Sequence, residues 1–278
     1  MKIKLSTFSK HCPWGCGCCY VPLAPADTAL PVLEAVDVSE PISVGSSKDE
    51  MKPTRLVLIS DTHGRHEELV LPPGDVLVHS GDFVRSHKHC TREAIESFDA
   101  WLGRQVQYKA RVVIAGNHEK LLDRVRPSAM LKNCKYVCHN WIEVEGLRMF
   151  CSPYRPGRGC LYRAEAFGRP ARKLQELWAS LRAPVDVVIT HGPPFGVLDE
   201  ESVGHIGDPA LLDRVRMVEP LLHVFGHCHG LQGGRRLRTQ TGEVLFVNAA
   251  SLDGRDGIAS PVVVDVYPMA RLQNPVRL

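Results

Sequence analysis

Arg55-Leu56-Val57-Leu58-Ile59-Ser60-Asp61-Thr62-His63 is the stretch whose reading decides the fold. Its apolar run is too short for a core helix and has no polar alternation, which predicts a strand buried on both faces. The run then stops on a carboxylate, a hydroxyl and an imidazole. The same design recurs outward along the chain. Asp75-Val76-Leu77-Val78-His79-Ser80 runs into Gly81-Asp82, and Arg111-Val112-Val113-Ile114-Ala115 runs into Gly116-Asn117-His118-Glu119. Asp186-Val187-Val188-Ile189-Thr190 ends at His191-Gly192, and Leu221-Leu222-His223-Val224-Phe225 ends at Gly226-His227-Cys228-His229. Buried strands with polar residues collected at their C-terminal ends predict an α/β protein with its chemistry in the loops above the sheet.

Between these strands the period changes. Thr91 to about Gln107 places Ala94, Ile95, Phe98, Trp101 and Leu102 at helical spacing, with Thr91 as N-cap. Pro170 to Leu181 reads as a helix opened by proline, and Pro209 to about Val218 also looks helical. Trp141–Glu145 and Leu147–Cys151 flank Gly146 as a hairpin. Val244–Asn248 and Pro261–Val266 supply late strands, and no internal repeat is visible.

The first 53 residues differ in kind. They hold Pro22, Pro25, Pro31 and Pro41 and show neither period, so most of this segment is expected to be a disordered leader, with the catalytic domain running over 54–278. Within it Cys12, Cys16, Cys18 and Cys19 cluster without the second pair of a zinc knuckle. They could instead carry a lipid anchor on an otherwise soluble protein, or be inert. Ten Cys behind no apolar signal segment point to reduced thiols in the cytoplasm. No apolar run reaches the ~18–20 residues of a membrane span. The net charge of +3 is too mild to argue for nucleic acid. Around the basic stretch 155–172 only Tyr154, Tyr162 and Phe167 are available as the aromatic platforms that a single-strand binder interleaves with its basic residues.

Asp61, His63, Asp82, Asn117, His191, His227 and His229 together form an inventory of hard oxygens and imidazoles. That is what two divalent cations need when they sit ~3.5–4 Å apart to activate water and neutralise a phosphoryl group. The i, i+2 spacing of Asp61 with His63, and of His227 with His229, puts each pair on one side of an extended segment. Cys228, between the second pair, should point away.

In order, D-x-H, G-D, G-N-H-[DE], H and G-H-x-H resemble the motifs of the calcineurin-like metallophosphoesterases, over about residues 55–266. The stretches Gly74–Phe83, Thr190-His191-Gly192-Pro193-Pro194 and Leu222–His229 are most similar to the small metallophosphoesterase-domain-containing phosphodiesterases. The resemblance implies a four-layer α/β/β/α sandwich of two mixed β-sheets. It implies that Asp61, His63 and His229 hold one metal, that Asn117, His191 and His227 hold the other, and that Asp82 bridges them. Mn is the expected pair, with Fe, Zn or Mg as substitutes. His118 would be the catalytic general acid, while a hydroxide shared by the metals attacks phosphorus in line. The substrate would be a small phosphate ester such as a cyclic nucleotide. A phosphomonoesterase, a nucleotide pyrophosphatase, a nuclease or a silent binding scaffold are the alternatives. Gly81-Asp82-Phe83-Val84-Arg85-Ser86 lacks the G-D-x-x-D-R-G of protein phosphatases.

Several residues have ordinary readings. His79 and His223 lie inside apolar strands and are expected to be structural, and His66, His87 and His89 to be loop residues. His205 is either a phosphate contact or a loop histidine. Cys134 and Cys138 are expected to be buried free thiols. Arg155, Arg158 and Arg163 either steer an anion or belong to a solvated loop.

Overall fold

The computed structural model describes residues 30–46, 52–124, 129–157, 166–202, 204–239, 241–252 and 257–269. In chain order the strands are β1 (Glu34–Val36), β2 (Ile42–Val44), β3 (Thr54–Ile59), β4 (Val76–His79), β5 (Ala110–Val113), β6 (Lys135–Tyr136), β7 (Asn140–Val144), β8 (Leu147–Ser152) and β9 (Arg155–Pro156). They continue as β10 (Gly168–Arg169), β11 (Val187–Thr190), β12 (Glu200–Glu201), β13 (Gly204–His205), β14 (Leu222–Phe225), β15 (Gly233–Arg238), β16 (Glu243–Asn248) and β17 (Val262–Val266). The helices are α1 (Arg92–Arg104), α2 (Ala171–Trp178) and α3 (Pro209–Val218).

Two mixed sheets carry the fold. One has the order β2-β17-β3-β4-β5-β6 and the other β1-β15-β16-β14-β11-β8-β7. The central strands β3, β4 and β5 are parallel, as are β8, β11, β14 and β16. Their C-terminal ends therefore gather the polar loops on one edge of each sheet.

Side-chain alternation sorts the core into three interfaces. Leu56, Leu58, Val76, Val78 and Val112 of the first sheet meet Met149, Val187, Ile189, Leu222, Val224, Leu245 and Val247 of the second, sheet on sheet. The opposite face of the first sheet, with Val57, Ile59, Leu77 and Val113, packs on Ile95, Phe98, Trp101 and Leu102 of α1. On the far face of the second sheet, Phe150, Val188 and Phe246 pack on Leu174 and Trp178 of α2 and on Leu211, Leu212 and Val215 of α3. Helix, sheet, sheet, helix is the four-layer order.

The helices start where their caps put them. Thr91 accepts from the Ala94 amide at 3.2 Å, and Asp208 accepts from Ala210 at 2.9 Å while Pro209 opens α3. One expectation needs correction. The leader was placed through residue 53, yet β1 pairs with β15 and β2 with β17, so the domain starts inside it. Three-residue strands are too short to display a period, and edge pairing is what makes them strands. β15 was not expected either, because Gly233-Gly234-Arg235-Arg236 carries no apolar alternation; it forms as the hairpin partner of β16. The cysteines 12, 16, 18 and 19 and Arg158 and Arg163 lie outside the described residues. Among the described residues no helix is long and apolar enough to cross a membrane.

Candidate metal centre

The loops after β3 and β4 run side by side. Asp61 N donates to Gly81 O at 2.9 Å, His63 N to Asp82 O at 3.0 Å, and Gly64 N to Phe83 O at 2.9 Å. To make these turns Asp61, His63 and Asp82 take positive φ of 52°, 45° and 56°, and His227 takes 70°. Left-handed backbone costs a residue with a Cβ about 1–2 kcal/mol. Such strain persists where surrounding contacts over-determine it, and it marks functional loops.

The backbone brings the expected side chains into two groups. In one, ligand atoms of Asp61, His63 and His229 lie within 4.8 Å of one another; in the other, those of Asp82, His191 and His227 do. His63 Nε2 stands 3.0 Å from His229 Nε2, and His229 Nε2 is 3.4 Å from Asp61 Oδ1. In the second group His191 Nε2 is 3.0 Å from Asn117 Oδ1 and 3.4 Å from Asp82 Oδ2. A third grouping, His63, Asp82 and His118, shares His63 with the first and Asp82 with the second. Imidazole nitrogens sharing one ion at ~2.1 Å lie roughly 3.0–3.4 Å apart, and the His63–His229 separation falls in that range.

Each carboxylate gives one oxygen to the backbone and keeps the other for the centre. Asp61 Oδ2 accepts from His227 N at 2.8 Å, and Asp82 Oδ1 accepts from His118 N at 2.8 Å. Asp61 Oδ1 is buried without a hydrogen-bond partner. A buried carboxylate oxygen left this way is costly in a neutral protein and is met by a bound cation.

The electrostatics ask for positive charge. Burial opposes ionisation of Asp61, but the imidazoles of His229 and His191 outweigh it and bring its pKa down to about 2. Asp82 is held lower still, with burial again opposed, chiefly by His191. Burial would depress His191, yet Asp82 and Asp61 drive its pKa up to about 9. An imidazolium thus fills part of the role that divalent ions would take. The donor set, the orphaned oxygen and this charge demand all fit a pair of divalent cations.

Outer hydrogen bonds fix the tautomers. His191 Nδ1 meets Ser80 O at 3.0 Å and His63 Nδ1 meets Arg85 O at 3.3 Å. A carbonyl only accepts, so each Nδ1 carries a proton, which leaves Nε2 as the nitrogen that would give up its proton and present a lone pair to a bound cation. Glu119, wholly buried, accepts from the amides of Gly116 at 2.6 Å, Val84 at 2.9 Å and Asp82 at 3.0 Å, tying the loops after β4 and β5 together. Burial and the Asp82 charge push its pKa to about 8, against those amides; cations beside Asp82 would relieve the Coulombic part.

The two strand histidines form matching supports. His79 Nε2 lies 3.0 Å from Thr62 Oγ1, while its Nδ1 accepts from Gly81 N at 3.2 Å. His223 Nε2 lies 2.9 Å from Thr190 Oγ1, whose hydroxyl donates to Gly192 O at 2.8 Å. In both cases the threonine directly precedes a candidate ligand, His63 or His191. Cys228 is buried, and its carbonyl accepts from Asn248 Nδ2 at 2.9 Å.

His118 Nε2 is 3.7 Å from Asp82 Oδ2, and its ring stands edge-on to His63 at 4.7 Å between centroids. Burial lowers its pKa. His87, expected to be an ordinary loop residue, lies against His118 with 6.1 Å between ring centroids. Only tertiary packing brings this pair together, so no local signal could have found it. Arg155 is buried with its Cβ close to Gly192, so the solvated-loop reading fails for it. His205 is taken up by Asp199, with Nδ1 2.7 Å from Oδ1. Cys134 is half-buried and Cys138 is exposed; both are free thiols, the second less buried than expected.

A family model described as calcineurin-like phosphoesterase matches residues 54–231, and that range contains every ligand candidate named above. Metallophosphoesterase domain-containing protein 1 of Homo sapiens is 33% identical over 243 residues, covering 77% of this chain and 71% of that protein. A UPF0046 protein of Caenorhabditis elegans is 31% identical, over 78% of this chain and 77% of its own length. Among solved structures, TT1561 of Thermus thermophilus superposes with a TM-score of 0.48 at 13% identity, covering 72% of this chain and 91% of that one.

Proposed function

The chain belongs to the calcineurin-like phosphoesterase family and is a phosphoric ester hydrolase, and from that premise we propose that it is a two-metal phosphodiesterase of a small phosphate ester, a cyclic nucleotide being the simplest case. The observation that carries this reading is the pair of ligand groups, Asp61/His63/His229 and Asp82/His191/His227, with His118 beside Asp82. Asp61, His63 and His229 would hold one ion and Asn117, His191 and His227 the other, with Asp82, which lies beside His191 and His118, as the candidate shared ligand. When bound, two divalent ions, Mn in the first instance, supply an activated water and neutralise the phosphoryl oxygens.

The chain's own residues do the rest. Ser80 and Arg85 carbonyls orient the ligand imidazoles. Glu119 keeps the G-D and G-N-H loops in register by bonding their amides. His118 is surplus to the ligand count and only partly buried. Its Nε2 delivers a proton to the departing ester oxygen and stabilises the charge growing there.

The test is metal content together with Mn²⁺-dependent hydrolysis of bis(p-nitrophenyl) phosphate beside p-nitrophenyl phosphate. The wild type is expected to bind about two ions and to favour the diester, and Asp82→Ala to lose both properties. His118→Asn is expected to keep its metal and lose about 10²–10⁴ in kcat. Equal turnover by wild type and Asp82→Ala removes the reading, and a faster monoester makes the enzyme a phosphomonoesterase.

A further inference from the structure

The loop that follows Asp82 is uniformly basic. From Phe83 to Arg92 it contains Arg85, His87, Lys88, His89 and Arg92 and no acid. Arg85, His87, Lys88 and His89 are exposed. Arg92 is spent on Glu96 within α1 at 3.3 Å. Arg85 and Lys88, by contrast, have no ion-pair partner among the described residues. The nearby exposed carboxylates, Glu67 and Glu68, are already taken by Arg104 and Arg65, and Asp82 and Glu119 are buried against amides.

This loop is tied to the centre at both ends. Arg85 O accepts from His63 Nδ1 at 3.3 Å, and Cys90 Sγ accepts from Leu121 N at 3.4 Å, three residues past His118. Between these ties the 3-10 turn His87–His89 closes on Ser86, with His89 N donating to Ser86 O at 2.9 Å. The turn sets the His87 ring beside His118. One imidazole thus stands beside the residue that protonates the leaving group, on a short basic loop that also carries two cations without an ion-pair partner among the described residues.

We infer that this loop is an anion subsite on the leaving-group side, so that the preferred ester is a phosphodiester whose departing alcohol itself carries a phosphate. The inference rests on the diesterase reading and on His118 marking the leaving side. Water adds to phosphorus as the P–O bond to the alcohol breaks, and that oxygen takes the proton of His118. The extra phosphate leaves unchanged, held meanwhile by Arg85, Lys88 and the His87 ring. An arginine fork and a lysine ammonium are suited to a terminal phosphate. A neutral alcohol would leave both cations without a partner.

The dinucleotide TpT and its two phosphorylated forms, pTpT and TpTp, test this on the Mn²⁺-loaded chain. The products of TpT identify which nucleoside departs. Phosphorylating that nucleoside should raise kcat/KM about tenfold, the range for two exposed charge contacts, and phosphorylating the other should not. The gain should shrink in about 0.5 M salt, which screens exposed cations. In the double variant Arg85→Ala/Lys88→Ala the ratio should fall to near one, and Arg85→Glu/Lys88→Glu should invert it. Equal gains at both ends, no gain, or a gain that survives Arg85→Ala/Lys88→Ala overturns the inference. Hydrolysis of bis(p-nitrophenyl) phosphate with none of the dinucleotides also overturns it and leaves the diesterase reading standing. No hydrolysis of any ester removes that reading, and this inference with it.

Discussion

At the scale of single residues, histidine plays two opposite parts in this protein. His191 and His229 face carboxylates and are drawn toward the charged form. His79 and His223 are wholly enclosed in apolar strands, and burial drives the pKa of each down to about 3. The second pair makes folding sensitive to acid. In the unfolded chain a histidine takes up its proton near pH 6.5. Between that value and about 3 the unfolded state binds protons that the native state refuses, so stability falls as the pH falls. Each such group contributes about 1.4 kcal/mol per pH unit in that window. His223→Gln keeps a donor for Thr190 and removes the titration. Its Nδ1 has no partner to lose. The metal-free variant should therefore lose stability more slowly than wild type between pH 6 and pH 4, by about 1.4 kcal/mol per pH unit in urea melts. Parallel curves would show that His223 is not the neutral donor described. The sequence placed both histidines in strands and read them as structural, but their bonds to Thr62 and Thr190 were beyond reach, because they cross between strands.

At the scale of elements, the loops that carry the candidate ligands were legible because each combines a strand exit with a residue type suited to metals. What the motifs did not disclose is how tightly the loops pack against one another. Gly116 is an instance. A Cβ there would stand 2.6 Å from His191 Cε1 and 2.7 Å from Asp82 N, and would strike Asp82 Oδ1. The glycine is required by close approach, since its φ is ordinary. Gly116→Ala should push Asp82 and His191 apart, reducing bound metal to about one ion or fewer, with kcat down by at least about 10². Metal analysis alongside circular dichroism would separate this from unfolding. A folded Gly116→Ala protein with full metal content and wild-type kcat would refute the packing argument. The starts of α1 and α3 were legible from Thr91 and Pro209, whose effect on a helix start is local. β15 escaped for the converse reason, since its strand character comes from β16 alone.

At the scale of the whole molecule, the centre sits where two sheets bring their strand ends together, so its geometry depends on the sheets staying stacked. β2 contributes to that stacking from a segment the composition had assigned to a disordered leader. Ile42 and Val44 are buried in the layer between the sheets, and their strand runs parallel to β17 over Val264, Asp265 and Val266. β1 covers the β15 edge of the other sheet. Burying an Ile or Val side chain is worth about 1.5–3 kcal/mol, before the cost of ordering the segment. Comparing a deletion of residues 1–29 with a deletion of residues 1–46 isolates these two strands. The longer deletion should melt roughly 10 °C lower, at ~2–4 °C per kcal/mol for a domain of this size. It should also associate more readily, since two sheet edges lose their cover. Metal content at 20 °C should be the same in both proteins, because every candidate ligand lies beyond residue 60. Equal melting temperatures would make β1 and β2 passengers. A loss of metal from the longer deletion, with its fold retained, would mean instead that sheet stacking sets the spacing of the ligand loops directly.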